Sequence, residues 1–173
     1  MSCLPNTPIA SDVRSDGWQS FSSILTTTAA QYKPISAEVL TFDGMIEAES
    51  QSAIIRQLQY EETAGSSSDV RKADLSFYIY NVSSPTAPTA GAVYEASTSN
   101  LVGVVEVAQA DYERVSSTVW VATVNPNRYF TTGTGAGASS LYAVAVYNNA
   151  TPTAYTASAA GRVFLHVENN AIV

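Results

Sequence analysis

Apolar and polar residues alternate with period two along much of this chain. In Asp74–Tyr80, Leu75, Phe77 and Ile79 fall on one side and Ser76, Tyr78 and Tyr80 on the other, the pattern of an extended strand resting one face on a core. Comparable segments are Ser22–Thr28, Ala37–Phe42, Ala53–Tyr60, Ala92–Glu95, Leu101–Val107, Thr118–Val124, Ser140–Tyr147 and Arg162–Glu168. Turn-forming stretches separate them: Gly65-Ser-Ser-Ser-Asp69, Ser83-Ser-Pro-Thr-Ala-Pro88, Asn125-Pro-Asn127 and Gly133-Thr-Gly-Ala-Gly137. The last two strands flank the Pro/Thr-rich stretch Asn148–Ala157 and read as a hairpin. Helical periodicity is nowhere sustained; Ile46–Leu58 comes nearest, and its Ile54, Ile55 and Leu58 fit a strand starting at Ala53 better. With no βαβ alternation and no fixed-period repeat, the chain is predicted to be all-β: a single antiparallel β-sandwich, jelly-roll-like, carrying an extended N-terminal arm.

The arm is read over residues 1–20 and the sandwich over 21–173. Pro5, Pro8 and Gly17 interrupt the arm, and Leu4, Ile9, Val13, Trp18 and Phe21 recur in it at irregular spacing. The five are candidate protein-interaction residues that anchor the arm on a partner; the alternative is that Trp18 and Phe21 cover the edge of the chain's own core.

Composition narrows the function classes. Only 13% of residues are charged, about half the usual share, so the polar surface is built from hydroxyls and amides. The net charge is −7, and the eight Lys and Arg are scattered without a basic stripe, which argues against a nucleic-acid partner. No run of apolar residues is long enough for a membrane span, and Met1–Pro8 has no export leader, so the expectation is a soluble chain without a membrane partner. The lone Cys3 permits no internal disulfide, leaving stability to packing.

Candidate chemistry is sparse. His166, the only histidine, shares a strand face with Phe164 and Glu168, and no Gly-x-Ser-x-Gly elbow accompanies it; it reads as a structural or surface residue. Glu61 and Glu62 are adjacent and point to opposite faces of a strand, while Glu47 and Glu49 read as a solvated loop edge or a weak cation site. Gly133–Gly137 lacks the Lys-Ser/Thr of a phosphate loop and leads into a strand. Asn81-Val-Ser83 and Asn149-Ala-Thr151 match the glycosylation pattern and, without export, read as chance matches. The expectation is therefore no catalytic residue, no cofactor and no metal. Among ten tyrosines, Tyr78, Tyr80, Tyr142, Tyr147 and Tyr155 lie on or near strands. Of these, Tyr78, Tyr80, Tyr147 and Tyr155 form a candidate surface aromatic set, suited to a protein interface or to stacking on a sugar.

Taken in order, several segments resemble the head decoration, or cement, proteins of tailed bacteriophages, encoded near the major capsid protein. They are Phe42-Asp43-Gly44, Ala53–Tyr60, Asp74-Leu-Ser-Phe-Tyr-Ile-Tyr-Asn81 reaching Pro85, Leu101-Val-Gly-Val-Val-Glu-Val107 with Asp111-Tyr112, Ser140-Leu-Tyr142, Thr151-Pro-Thr-Ala-Tyr155 and Arg162-Val-Phe-Leu-His-Val167. The likeness spans roughly residues 38 to 168. Ala159-Ala-Gly-Arg162 departs from the acidic and aliphatic residues that usually introduce the last strand, and the N-terminal 35 residues match no family pattern. The resemblance implies a non-enzymatic virion protein on the capsid exterior, made in the host cytoplasm. It implies the major capsid protein as partner and a homo-oligomer, with a trimer favoured. The alternative is a tail or fibre-associated module binding carbohydrate or a receptor through its tyrosines.

Overall fold

The computed structural model describes residues 13–21, 30–36, 38–46, 52–64, 72–81, 84–134, 139–151 and 160–170, with backbone alone at 13–21 and 170. Among them are ten strands: β1 (Val13–Phe21), β2 (Leu40–Phe42), β3 (Ser52–Thr63), β4 (Leu75–Asn81), β5 (Leu101–Val107), β6 (Tyr112–Arg114), β7 (Val119–Val124), β8 (Arg128–Thr131), β9 (Leu141–Tyr147) and β10 (Ala160–Asn170). One sheet runs β1-β10-β3-β7-β6, with β8 also paired to β3; the other runs β2-β9-β4-β5. The pairs nest, β1 with β10, β2 with β9, β3 with β7 and β4 with β5, all antiparallel. A ribbon folded over on itself in this way is a jelly roll, the all-β sandwich expected from the strand pattern.

Alternation explains the core. Leu58 and Tyr60 of β3 and Val163, Leu165 and Val167 of β10 face Leu75, Phe77 and Ile79 of β4, Leu141, Ala143, Ala145 and Tyr147 of β9, and Val105 and Val107 of β5. The Tyr60 ring lies 5.7 Å from Phe77, tilted by 51°, and 6.1 Å, edge-on, from Tyr112, the latter a T-shaped geometry that aromatic quadrupoles favour. Glu62 continues the inward row of β3 and is fully buried, whereas Glu61 is half-buried on the other face.

Three expectations require correction. The last two strands are not a hairpin: β9 pairs with β2 and β4, and β10 with β1 and β3. β9 and β10 belong to different sheets, and the length of sequence between Tyr147 and Ala160 is itself the clue, since tight hairpins use loops of about two to five residues. Ala92–Glu95 is not a strand; there the Tyr94 N–H donates to the Tyr32 carbonyl at 2.8 Å, and the segment wraps the second sheet. Val13–Phe21, read from sequence as part of an aperiodic arm, is a strand bonded to β10 along its whole length. An edge strand has one neighbour only, so its alternation is weakly constrained and Gly17 in its middle masks it. The expected strand Ser22–Thr28 and arm residues 1–12 lie outside the described residues, while the short β6 and β8 went unread.

Candidate interaction surfaces

The outer face of the first sheet is polar and ruled by register. Phe164 stands opposite Gln59 and His166 opposite Gln57, and the register then shifts so that Val167 meets Ile55. Arg56 is the extra residue of this β-bulge. Its Nε donates to Glu168 Oε2 at 2.6 Å and its Nη1 to Asn127 Oδ1 at 3.1 Å. The hydrogen bond to Glu168 raises the Arg56 pKa above its ordinary value. At the other end Arg162 Nη2 donates to Glu61 Oε2 at 2.7 Å. The two ion pairs bracket a strip of Gln57, Gln59, Phe164 and His166. Because these ions stay in contact with water, they organise the surface and add little stability. His166 shares its face with Phe164 and Glu168, as its spacing predicted. Among the described residues no group of three or more His, Cys, Asp or Glu is gathered as a metal site.

The second sheet is covered on its outer face too. Ser76, Tyr80, Val144 and Val146, which point away from the core, are all buried. Tyr94 supplies part of the cover: its ring meets Tyr78 edge-on at 5.3 Å, and the Tyr94 and Tyr80 hydroxyls hydrogen-bond at 2.9 Å. Burial first, and for Tyr94 also the bond to Tyr80, raises both phenol pKa values above the ordinary tyrosine range. A carboxylate clamp closes one end of this sheet. Asp74 Oδ1 accepts from the Gln109 N–H at 2.6 Å, Asp74 Oδ2 from Asn149 Nδ2 at 2.6 Å, and the Asp74 N–H donates to Asn149 Oδ1 at 2.7 Å. The Asn149 amide of one glycosylation match is thus engaged, and Asn81 Nδ2 of the other donates to the Thr131 carbonyl at 2.9 Å.

The tyrosine set divides accordingly. Tyr80 and Tyr147 are each only 1% exposed and are not surface residues; Tyr147 lies in the core with its hydroxyl donating to the Thr151 carbonyl at 2.8 Å. Tyr78 is half-buried under Tyr94, and Tyr155 lies outside the described residues. Among the described residues, the tyrosines that do face water are Tyr32 and Tyr129. Neither position carried a strand signal in the sequence.

The arm residues also divide. Leu4 and Ile9 lie outside the described residues; Val13, Trp18 and Phe21 occupy β1 opposite Asn169, Phe164 and Gly161 of β10. β1 terminates the first sheet, and among the described residues no strand pairs with its other side. The opposite rim is built differently. β6 and β8 are short, and Arg128 of β8 stands opposite the core residue Ile55, so it belongs to the inward row. Its guanidinium lies over Gly103 of β5, where a Cβ would collide with it. Short edge strands and an inward-turned charge are devices that discourage strand addition.

No family model and no curated protein matches the chain. Among solved structures, it is similar to turnip yellow mosaic virus at 10% identity, covering 100% of this chain and 89% of that one, with a TM-score of 0.28. The N-terminal cellulose-binding domain of Cellulomonas fimi β-1,4-glucanase C gives 14% identity, 91% and 90% coverage and a TM-score of 0.32. Desmodium yellow mottle tymovirus gives 11%, 100% and 96%, and 0.25. Likeness of this degree identifies no relative.

Proposed function

We propose that this protein is a non-catalytic virion component that binds the outside of a phage head and bridges neighbouring capsid subunits. The observation that supports this most is the placement of β1: the N-terminal sequence that carries Leu4 and Ile9 is followed by a nine-residue strand of the sandwich. A segment that anchors on another protein must transmit load to the folded domain, and a full ladder of backbone bonds does so better than a tether. On the outer face of the first sheet Arg56 pairs with Glu168 and Arg162 with Glu61, so these charges cancel locally, which limits repulsion between closely packed copies. Bridging then works by additive burial: each copy that binds only the assembled head stabilises it by mass action.

The register of β1 sharpens the test. Deleting residues 1–12 leaves β1 in place, and the truncated protein is expected to keep its unfolding midpoint while losing occupancy on heads that lack the protein. Deleting 1–20 removes nearly all of β1 and is expected to lower stability as well. Undiminished head binding by the 1–12 deletion, measured by co-sedimentation, would refute the anchoring role. The sugar-stacking alternative loses Tyr147, whose ring is in the core.

A further inference from the structure

We propose that β1 is a self-pairing edge: two copies join their first sheets antiparallel through β1, about a twofold axis at Ser15. An unpaired edge presents a row of N–H and C=O groups that template another strand. Among the described strands at sheet ends, β2 and β6 have three residues each, and β5 has Arg128 laid against it; β1 has nine. The length of β1 is therefore the exception in a fold whose other edges are short or guarded.

The sequence of β1 supplies the partner. In antiparallel pairing about Ser15, Arg14 stands directly opposite the partner's Asp16, and Asp16 opposite the partner's Arg14. Directly opposed residues share a face, so both contacts are opposite-charge cross-strand pairs, the favourable kind. Val13 meets the partner's Gly17, and Ser15 meets its own copy. Centring on Gly17 instead would place Arg14 opposite Ser20 and Asp16 opposite Trp18, and both charge pairs would vanish. The contact is isologous and closes on itself, leaving neither copy an open β1 edge. A twofold pair thus replaces the threefold assembly that the resemblance implied. It also presents two N-terminal segments at once.

The test uses the full chain with Cys3→Ser as background, in the absence of any head. Under mild oxidation, Ser15→Cys is expected to form a covalent dimer, because opposed residues lie about 4.5–5.5 Å apart at Cα, within disulfide reach. Gly17→Cys is expected not to, since its two copies stand four residues apart along the ladder, roughly 13 Å. In sedimentation, Asp16→Arg and Arg14→Asp should each weaken dimerisation roughly tenfold or more, and mixing the two proteins should restore it. A monomer or a trimer at high concentration overturns the proposal, as does cross-linking at position 17 that equals that at 15. Failure of the mixture to associate, with both variants retaining the unvaried chain's circular dichroism and melting, means that Arg14 and Asp16 keep edges apart and also overturns it. If either charge variant fails to fold, the cysteine pair decides.

Discussion

The two sheets solve the same packing problem with different sequences. In the second sheet, β9 reads Leu-Tyr-Ala-Val-Ala-Val-Tyr without a charged residue, and nearly all of it is buried; both of its faces are covered. In the first, β3 and β10 alternate strictly over much of their length, Leu58 and Tyr60 inward against Gln57, Gln59 and Glu61 outward, and their outer rows stay partly wet. A strand with water on one side needs polar residues at every second position. A strand with protein on both sides does not, and their absence is a signal of cover. The lesson is that an outward-facing position and an exposed one are different things. Tyr80 is the first and not the second.

The sharpest way to break this contrast is to place the same kind of charge on each outer face. Val144→Asp puts a carboxylate where the side chain is 0% exposed, and is expected to destabilise by on the order of 4 kcal/mol or to prevent folding. Gln59→Glu, on the wet face, should change stability by no more than about 0.5 kcal/mol. Urea unfolding of both proteins checks the pair. Similar small effects would mean that the second sheet is open on its outer side.

Next in size is the clamp. Asp74→Ala removes the acceptors of the Gln109 and Asn149 bonds at once, leaving a backbone N–H and an amide to find water. Partial exposure moderates the cost, which should be about 2 kcal/mol in thermal or urea unfolding. Asp74→Asn, which retains one acceptor, should lose less. Equal losses would show that geometry at the strand start matters more than the bonds.

The cover itself can be titrated. Tyr80 and Tyr94 have raised pKa values, so the folded protein holds phenol protons that the unfolded chain releases above about pH 10. With more protons bound in the native state, stability must fall as pH rises beyond that point, and no contribution from these groups changes below it. Tyr94→Phe removes one of the two titrations and the hydroxyl bond to Tyr80. It is expected to cost about 1 kcal/mol at neutral pH and to flatten the alkaline decline. An unchanged alkaline slope would mean that the decline comes from other groups.

How much of this was legible beforehand follows from the same contrast. The strands and their inward rows could be read, because burial on one face imposes period two: Leu75, Phe77 and Ile79 are all in the core. What covers the other face is set by connections, whose partners are distant in sequence; nothing around Tyr94 announces that its hydroxyl meets Tyr80. Sheet assignment was hidden for a related reason. Alternation gives a strand its faces but not its neighbours, so β9 and β10 read as a hairpin although they lie in different sheets. Of the surface aromatic set, Tyr80 is buried because the second row of β4 is covered rather than solvent-facing, and Tyr147 because its row on β9 points into the core. A strand with no charged residue at all was the available warning. β1 is hard to read because, among the described residues, it has a single neighbour, which asks little of its sequence.

The smallest expected effect lies where the two sheets meet at the rim of β5 and β8. A Cβ on Gly103 would collide with Nε, Cζ and Nη2 of Arg128, which at face value makes the glycine obligatory. The colliding atoms, however, are the far end of a flexible side chain on an exposed residue, not backbone, and Gly103 has no positive φ to preserve. Swinging the guanidinium into water costs a loosely held contact, while replacing glycine by alanine in a strand gains roughly 0.5–1 kcal/mol by restricting the unfolded chain. Gly103→Ala is therefore expected to leave stability within about 0.5 kcal/mol of the unvaried protein, by the same urea measurement. What it should change is the guard on the rim. With the arginine displaced, β5 presents an apolar edge, and light scattering at high concentration should show slow association that the unvaried protein lacks; Arg128→Ala should do the same. A loss of more than about 1.5 kcal/mol would show instead that the guanidinium is held in place as part of the packing, and that the sheets are joined at this rim as firmly as at their core.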